Sequence, residues 1–295
     1  MKCFSAVAFL SAFFLMACAT VSSVPSLPSP VPDTQEIPSV RSGHPGETVS
    51  WSISPSSQPQ SYTSLLTTVI TQLEASTTRR DSLSTRAHYS VSTTRSADTL
   101  LLTGSITEFF VERDKVDIER GAISTPFAFT AKLSSHNFIT QISSANQTQD
   151  PTNCENPAQT ALTVLQRNLF LLPLQLTTAQ TWSDSISSVI CSGTLPVTHT
   201  VIRTFTVVGP AEVDGNPAIF VTEKERTFSK GEGSQEQHRI LIEGEGLTIG
   251  NLYLDPVSGI LLTSNSTNRT TLSIQSSGRV QHFLQNSSEI TQKSH

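Results

Sequence analysis

Three histidines, His199, His238 and His282, share the C-terminal half of the chain with Glu223, Glu225, Glu236, Glu243 and Glu245. Imidazole and carboxyl groups are common partners in general acid–base catalysis and in metal ligation. Spacing argues against a shared site. His238 and Glu243 are five residues apart, so in a strand they point to opposite faces. Glu223 and Glu225 share a face with Thr227, a pattern expected of the solvated side of a sheet rather than of an acid–base pair. Asp255 precedes Pro256 and reads as a turn residue. Trp182, in the run Gln180–Asp184, is expected to be a core aromatic at a strand start, with ligand stacking as the alternative. No serine stands in a motif with a base. Walker loops, nucleophile elbows, zinc-binding helix motifs and calcium loops are absent from the sequence. These residues therefore imply no catalytic site, no cofactor and no metal site.

Cysteine leads to a different chemistry. Met1-Lys2 gives a short positive start, followed by an apolar run from Ala6 to Leu15 that is too short to span a bilayer. It ends in Leu15-Met16-Ala17-Cys18, which resembles the lipobox of bacterial lipoproteins, with Met16 a less usual occupant of its position. The resemblance covers about 18 residues. It implies diacylglycerol on the Cys18 thiol, cleavage before Cys18 and an acylated (palmitate-type) amine. Ala19 next to the anchor, in place of Asp, implies sorting to the outer membrane in a cell with two membranes. An ordinary signal peptide is the alternative, since Ala17-Cys18-Ala19 also satisfies the small-x-small rule with cleavage after Ala19. Sequons at Asn146, Asn265, Asn268 and Asn286 would suit a secreted glycoprotein. Both readings export the protein. Of the four cysteines this leaves Cys154 and Cys191, a pair whose expected state in an oxidising compartment is a disulfide. Closing their 37-residue separation would stabilise the fold by about 3.8 kcal/mol in the chain-entropy account. A two-cysteine metal site is the rival, without a C-x-x-C or nearby histidine spacing to support it.

The elements that must position these groups are mostly strands. Residues 1–17 are expected to be the signal and 18–58 the anchor and a linker, with Val24–Pro32 rich in Pro and Ser and a second such patch at Pro55–Pro59. Trp51 inside this region is a candidate to pack back on the domain. From residue 59 to 295 a single, mostly antiparallel β domain is expected. Period two runs through Leu100–Glu112, Phe127–Leu133 and Ile219–Arg226, and further strands are expected at 86–94, 137–143, 199–208, 238–243, 247–254, 260–266, 271–275 and 280–284. Asp255–Gly259 and Ser276–Arg279 are hairpin loops. Ser64–Glu74 fits a helix by its Leu and Ile positions, but its interleaved threonines favour a strand. One amphipathic helix is expected at 157–172, capped by Asn156, opened by Pro157 and stopped by Pro173, with Leu165, Leu169 and Leu172 on its apolar stripe.

The fold class expected is thus mainly β: a curved antiparallel sheet, half-barrel or sandwich, with one inserted helix. The pattern of anchor, linker, long strands and inserted helix loosely resembles envelope lipoproteins in which a half-barrel binds acyl chains. Only 15% of the residues are charged, and the net charge of −5 becomes −6 once Lys2 leaves with the signal. No Lys/Arg cluster forms a nucleic-acid footprint. The function expected is that of a membrane-anchored envelope protein with a structural or interaction role and an envelope protein as partner. An apolar-ligand carrier and an enzyme with dispersed catalytic residues are the alternatives.

Overall fold

The computed structural model describes residues 40–42, 48–73, 80–96, 99–113, 127–134, 141–144, 165, 168–192, 195–235 and 238–294. Fourteen strands run in chain order through these residues: β1 (Val40–Ser42), β2 (Ser50–Ser52), β3 (Gln60–Gln72), β4 (Arg80–Ser96), β5 (Thr99–Arg113), β6 (Phe127–Ser134), β7 (Gln141–Ser144), β8 (Gln175–Thr177), β9 (Thr181–Ser192), β10 (Leu195–Val213), β11 (Asn216–Gln235), β12 (His238–Leu254), β13 (Leu261–Ser276) and β14 (Arg279–Lys293). Twelve of them form one curved, open, antiparallel sheet. Two meanders, β3 to β7 and β9 to β14, are joined where β14 pairs with β3. Val208 is bulged out of the β10–β11 ladder, and on the other edge of β10 the partner changes across the same place, β9 pairing along 195–206 and β1 along 211–213. The short strands β2 and β8 pair separately.

The mainly β, antiparallel architecture expected from period two is the one observed. Residues 60–72 form a strand, as their threonines favour. Expected breaks between 243 and 247, and between 266 and 271, do not occur. Gly244 and Gly246 continue β12 because side chains of β13 lie over them: a Cβ on Gly244 would meet the Leu272 side chain at 2.5 Å, and one on Gly246 the Thr270 hydroxyl at 2.3 Å. The β10–β11 and β13–β14 connections are two-residue turns, Asp214-Gly215 and Ser277-Gly278, with positive φ at all four residues as such hairpins require.

The helix expected at 157–172 lies largely outside the described residues. Leu165 is helical, but Asn168 is a turn and the chain beyond it is irregular, so the helical reading of its last turn is corrected. Its leucine stripe still reaches the core, where Leu165 and Leu169 are buried and Leu172 packs against them. Residues 168–174 cross the inner face of the sheet instead of winding, because their backbone carbonyls are taken by other elements. Leu169 C=O accepts from Arg203 at 2.8 Å, Leu172 C=O from Arg95 at 3.2 Å and Leu174 C=O from the Ile53 N–H at 2.7 Å.

Part of the segment expected as linker belongs to the fold. Ile53 is buried, Trp51 packs on the same core, and Ser54 N–H donates to Val257 C=O at 2.8 Å. The apolar residues Trp51 and Ile53 outweigh the surrounding Ser and Pro. Residues 24–32, with Cys18 and Cys154, lie outside the described residues; the Cys191 backbone is in β9 opposite Pro196.

Candidate functional site

Register builds the site. On the inner face, one row of directly paired residues crosses seven strands: Asp184, Arg203, Glu225, Thr248, Asn268, Ser287 and Thr68. Each of these residues is buried. A buried polar row is tolerable only when its groups satisfy one another. Arg203 donates through Nε and Nη2 to the two Asp184 oxygens at 2.6 Å each. Glu225 accepts from Thr227 at 3.1 Å and Thr248 at 3.0 Å, and Asn268 donates to Thr248 at 2.9 Å. Thr68 and Ser287 share a hydrogen bond at 3.0 Å.

The adjacent row contains Phe205, Glu223, Gly250, Ser266, Glu289 and Leu66. Glu289 accepts from Ser64 at 3.0 Å and from the Asn168 amide at 3.1 Å, which ties the crossing segment to β14. Glu223 is different. Burial pushes its carboxyl up to about 8; Arg203 opposes this, while Glu225, Asp184 and Glu289 reinforce it. Gly250 leaves the room it occupies, since a Cβ there would come within 3.2 Å of Glu223 Oε2.

Two hollows adjoin on this face and share Asn168, Phe170 and Leu261. The polar one is about 30 Å³, room for about one water, with Glu223, Glu225 and Glu289 in its wall. The larger, mostly apolar one is about 110 Å³; Leu100, Leu102, Leu169, Leu172, Tyr62 and Tyr89 line it, with Gln58, Gln60 and Arg95 also in its wall. The two tyrosine rings stack with centroids 5.3 Å apart. Burial raises both phenols well above their ordinary range, so they line the cavity as neutral groups.

The sequence-derived candidates fare unequally. Glu223 and Glu225 do not sit on a solvated face: Glu225 and Thr227 are 5% and 2% exposed and face the interior. The signal was present in the sequence, because 219, 221, 223, 225 and 227 share one parity and Ile219 and Val221 are core residues. The histidines do not converge. His199 bonds Ser229 at 3.0 Å and His238 bonds Ser277 at 2.7 Å, at separate places on the sheet. Among the described residues no group of His, Cys, Asp and Glu could hold a metal ion. Trp182 stacks on Phe205 at 5.0 Å, at the start of β9 as expected. Asp255 is a turn residue, its Oδ1 accepting from Val257 N–H at 3.0 Å and from Ser258 N–H and hydroxyl at 2.6 Å each. Asn268 is 7% exposed and hydrogen-bonded inside the sheet, so its sequon is closed to modification in the folded chain. No model of a protein family matches this chain, and no curated protein matches it either.

Proposed function

We propose that this is an exported envelope lipoprotein, anchored through Cys18, whose open sheet receives a small amphipathic ligand on its inner face. The run Leu15-Met16-Ala17-Cys18 supports the anchor, and the apolar cavity beside a carboxyl-lined pocket supports the ligand. A cavity of about 110 Å³ is somewhat smaller than the roughly 150 Å³ apolar hole that accommodates benzene, so the ligand's apolar body is a ring or a short alkyl chain. The neighbouring pocket offers the oxygens of Glu223, Glu225 and Glu289, which favours a head group that donates hydrogen bonds, such as a primary amine. Catalysis has weaker support. Asp184 is held by Arg203, Glu225 and Glu289 accept hydrogen bonds from neighbouring side chains, and no histidine reaches the pocket wall among the described residues.

Thermal denaturation with hexylamine or hexanoate as probe tests the ligand. Hexylamine should raise the midpoint and hexanoate should not, and Leu102→Trp, which fills the cavity, should remove the difference. Equal response to both, or none to either, would remove the support for an amphipathic ligand with a donor head.

A further inference from the structure

We propose that the outer face of the sheet binds an anionic phospholipid surface through a cationic and apolar patch centred on β11 and β12. Two adjacent cross-strand rows build it. One pairs Ile202, Arg226, Leu247 and Arg269; the other places Lys224 beside Ile249. From β9 to β14 neither row contains an acid; the remaining positions are Ser, Thr or Asn. Ile202, Leu247 and Ile249 are 46%, 51% and 56% exposed. Leu247 and Ile249 are neighbours on one face of β12, and Ile202 lies in the row of Leu247 on the far side of Arg226; aliphatic side chains exposed this close together differ from the singly scattered ones of an ordinary surface.

Charge complementarity selects the occupant. The chain as a whole is acidic, at −5, yet it puts Asp184, Glu223, Glu225 and Glu289 on the inner face and leaves the centre of the outer face to cations. The nearest acid on that face is Glu245, the next residue on it after Leu247 along β12 and diagonal to Arg226 and Arg269, with Glu243 one position further; the cationic patch is bounded on that side. Lys and Arg stems cover apolar surface while their heads reach phosphate, and branched aliphatics between them enter the headgroup region. A bilayer bearing phosphate-headed anionic lipids meets both halves of this chemistry over a broad, gently curved area. The patch goes beyond the anchored-carrier reading: an acyl chain at Cys18 fixes the protein to a membrane but does not decide which face lies on it.

The test uses the chain from residue 19, which contains every described residue and lacks any acyl group, so failure of anchoring and failure of the patch are separate results. Co-sedimentation is measured with vesicles of phosphatidylcholine alone and of equal parts phosphatidylcholine and phosphatidylglycerol. The chain should bind the anionic vesicles, lose binding as salt rises, and bind at least about tenfold more weakly as Arg226→Glu/Arg269→Glu. Leu247→Ser/Ile249→Ser should weaken binding without changing its salt dependence. These positions are exposed, and an unchanged thermal midpoint confirms folding; the salt series on the unsubstituted chain stands even if a variant unfolds. Equal binding to both vesicle types, or anionic binding that ignores the charge reversal, would overturn the proposal. So would a dimer in solution that the same reversal dissolves, which would make the patch a contact between copies.

Discussion

Desolvation pushes the half-buried Glu223 carboxyl up to about 8, with Glu225, Asp184 and Glu289 reinforcing the shift and Arg203 only partly opposing it. A carboxyl whose folded pKa exceeds its unfolded value of 4.5 contributes stability that is whole at low pH. That contribution falls as pH rises from about 4.5, because the unfolded chain releases the proton first, and it levels off above about 8. Glu223→Gln should therefore flatten the pH dependence by up to about 1 kcal/mol per unit in this window and be more stable than the parent at pH 8. Urea denaturation at a series of pH values reads this directly, and an unaltered slope would show that Glu223 titrates normally. The Asp184–Arg203 pair makes a second prediction. Its side chains are 2% and 1% exposed, so Asp184→Ala strands a buried guanidinium and should cost about 3–5 kcal/mol. Asp184→Leu with Arg203→Met should cost much less than the two single changes together, since neither charge is then left alone.

Strand identity follows from period two wherever alternation is clean: β5 was legible almost whole on that basis, but of β10 only 199–208 and of β14 only 280–284. Face assignment is harder. In β11 the apolar signal of Ile219 and Val221 gives way, along the same parity, to Glu223, Glu225 and Thr227, and polarity alone suggests solvent. The parity shared with Ile219 and Val221 points inward all the same, but what makes that burial tolerable is not local: Arg203, Thr248 and Asn268 come from three other strands, and their meeting is a matter of register. The 157–172 stripe misled in the opposite way, since Leu165, Leu169 and Leu172 are core residues without a regular helix to carry Leu169 and Leu172. Asp255 was legible because an Asx turn is local. Asp255→Ala removes three hydrogen bonds that, against partial burial, hold its carboxyl below the usual range, and it should lower stability by about 1–3 kcal/mol at neutral pH. The loss should shrink as pH falls through the carboxyl's titration, because the protonated parent has already lost those bonds' strength. Equilibrium unfolding of the two proteins at neutral and acid pH distinguishes the cases.

At the scale of the molecule, β14 is the element that makes one sheet of two meanders, pairing with β13 along one edge and β3 along the other. The inner row depends on that junction, because Thr68 belongs to one meander and the six residues from Asp184 to Ser287 to the other. Ser287→Pro, at a site paired on both edges, should therefore separate the meanders and abolish cooperative unfolding, seen as two transitions or none. The open sheet with its two hollows has a use in the envelope only if the chain is carried there and held. Under the proposed export, Cys154 and Cys191 would meet an oxidising space in which to pair, and the outer patch would meet a membrane. The most direct measurement is the mass of the mature N-terminal peptide, from protein made in bacterial cells fed labelled palmitate. Acylated Cys18 at the N-terminus, with the label abolished by Cys18→Ser, is the expected result; an unmodified N-terminus at Thr20 would contradict it.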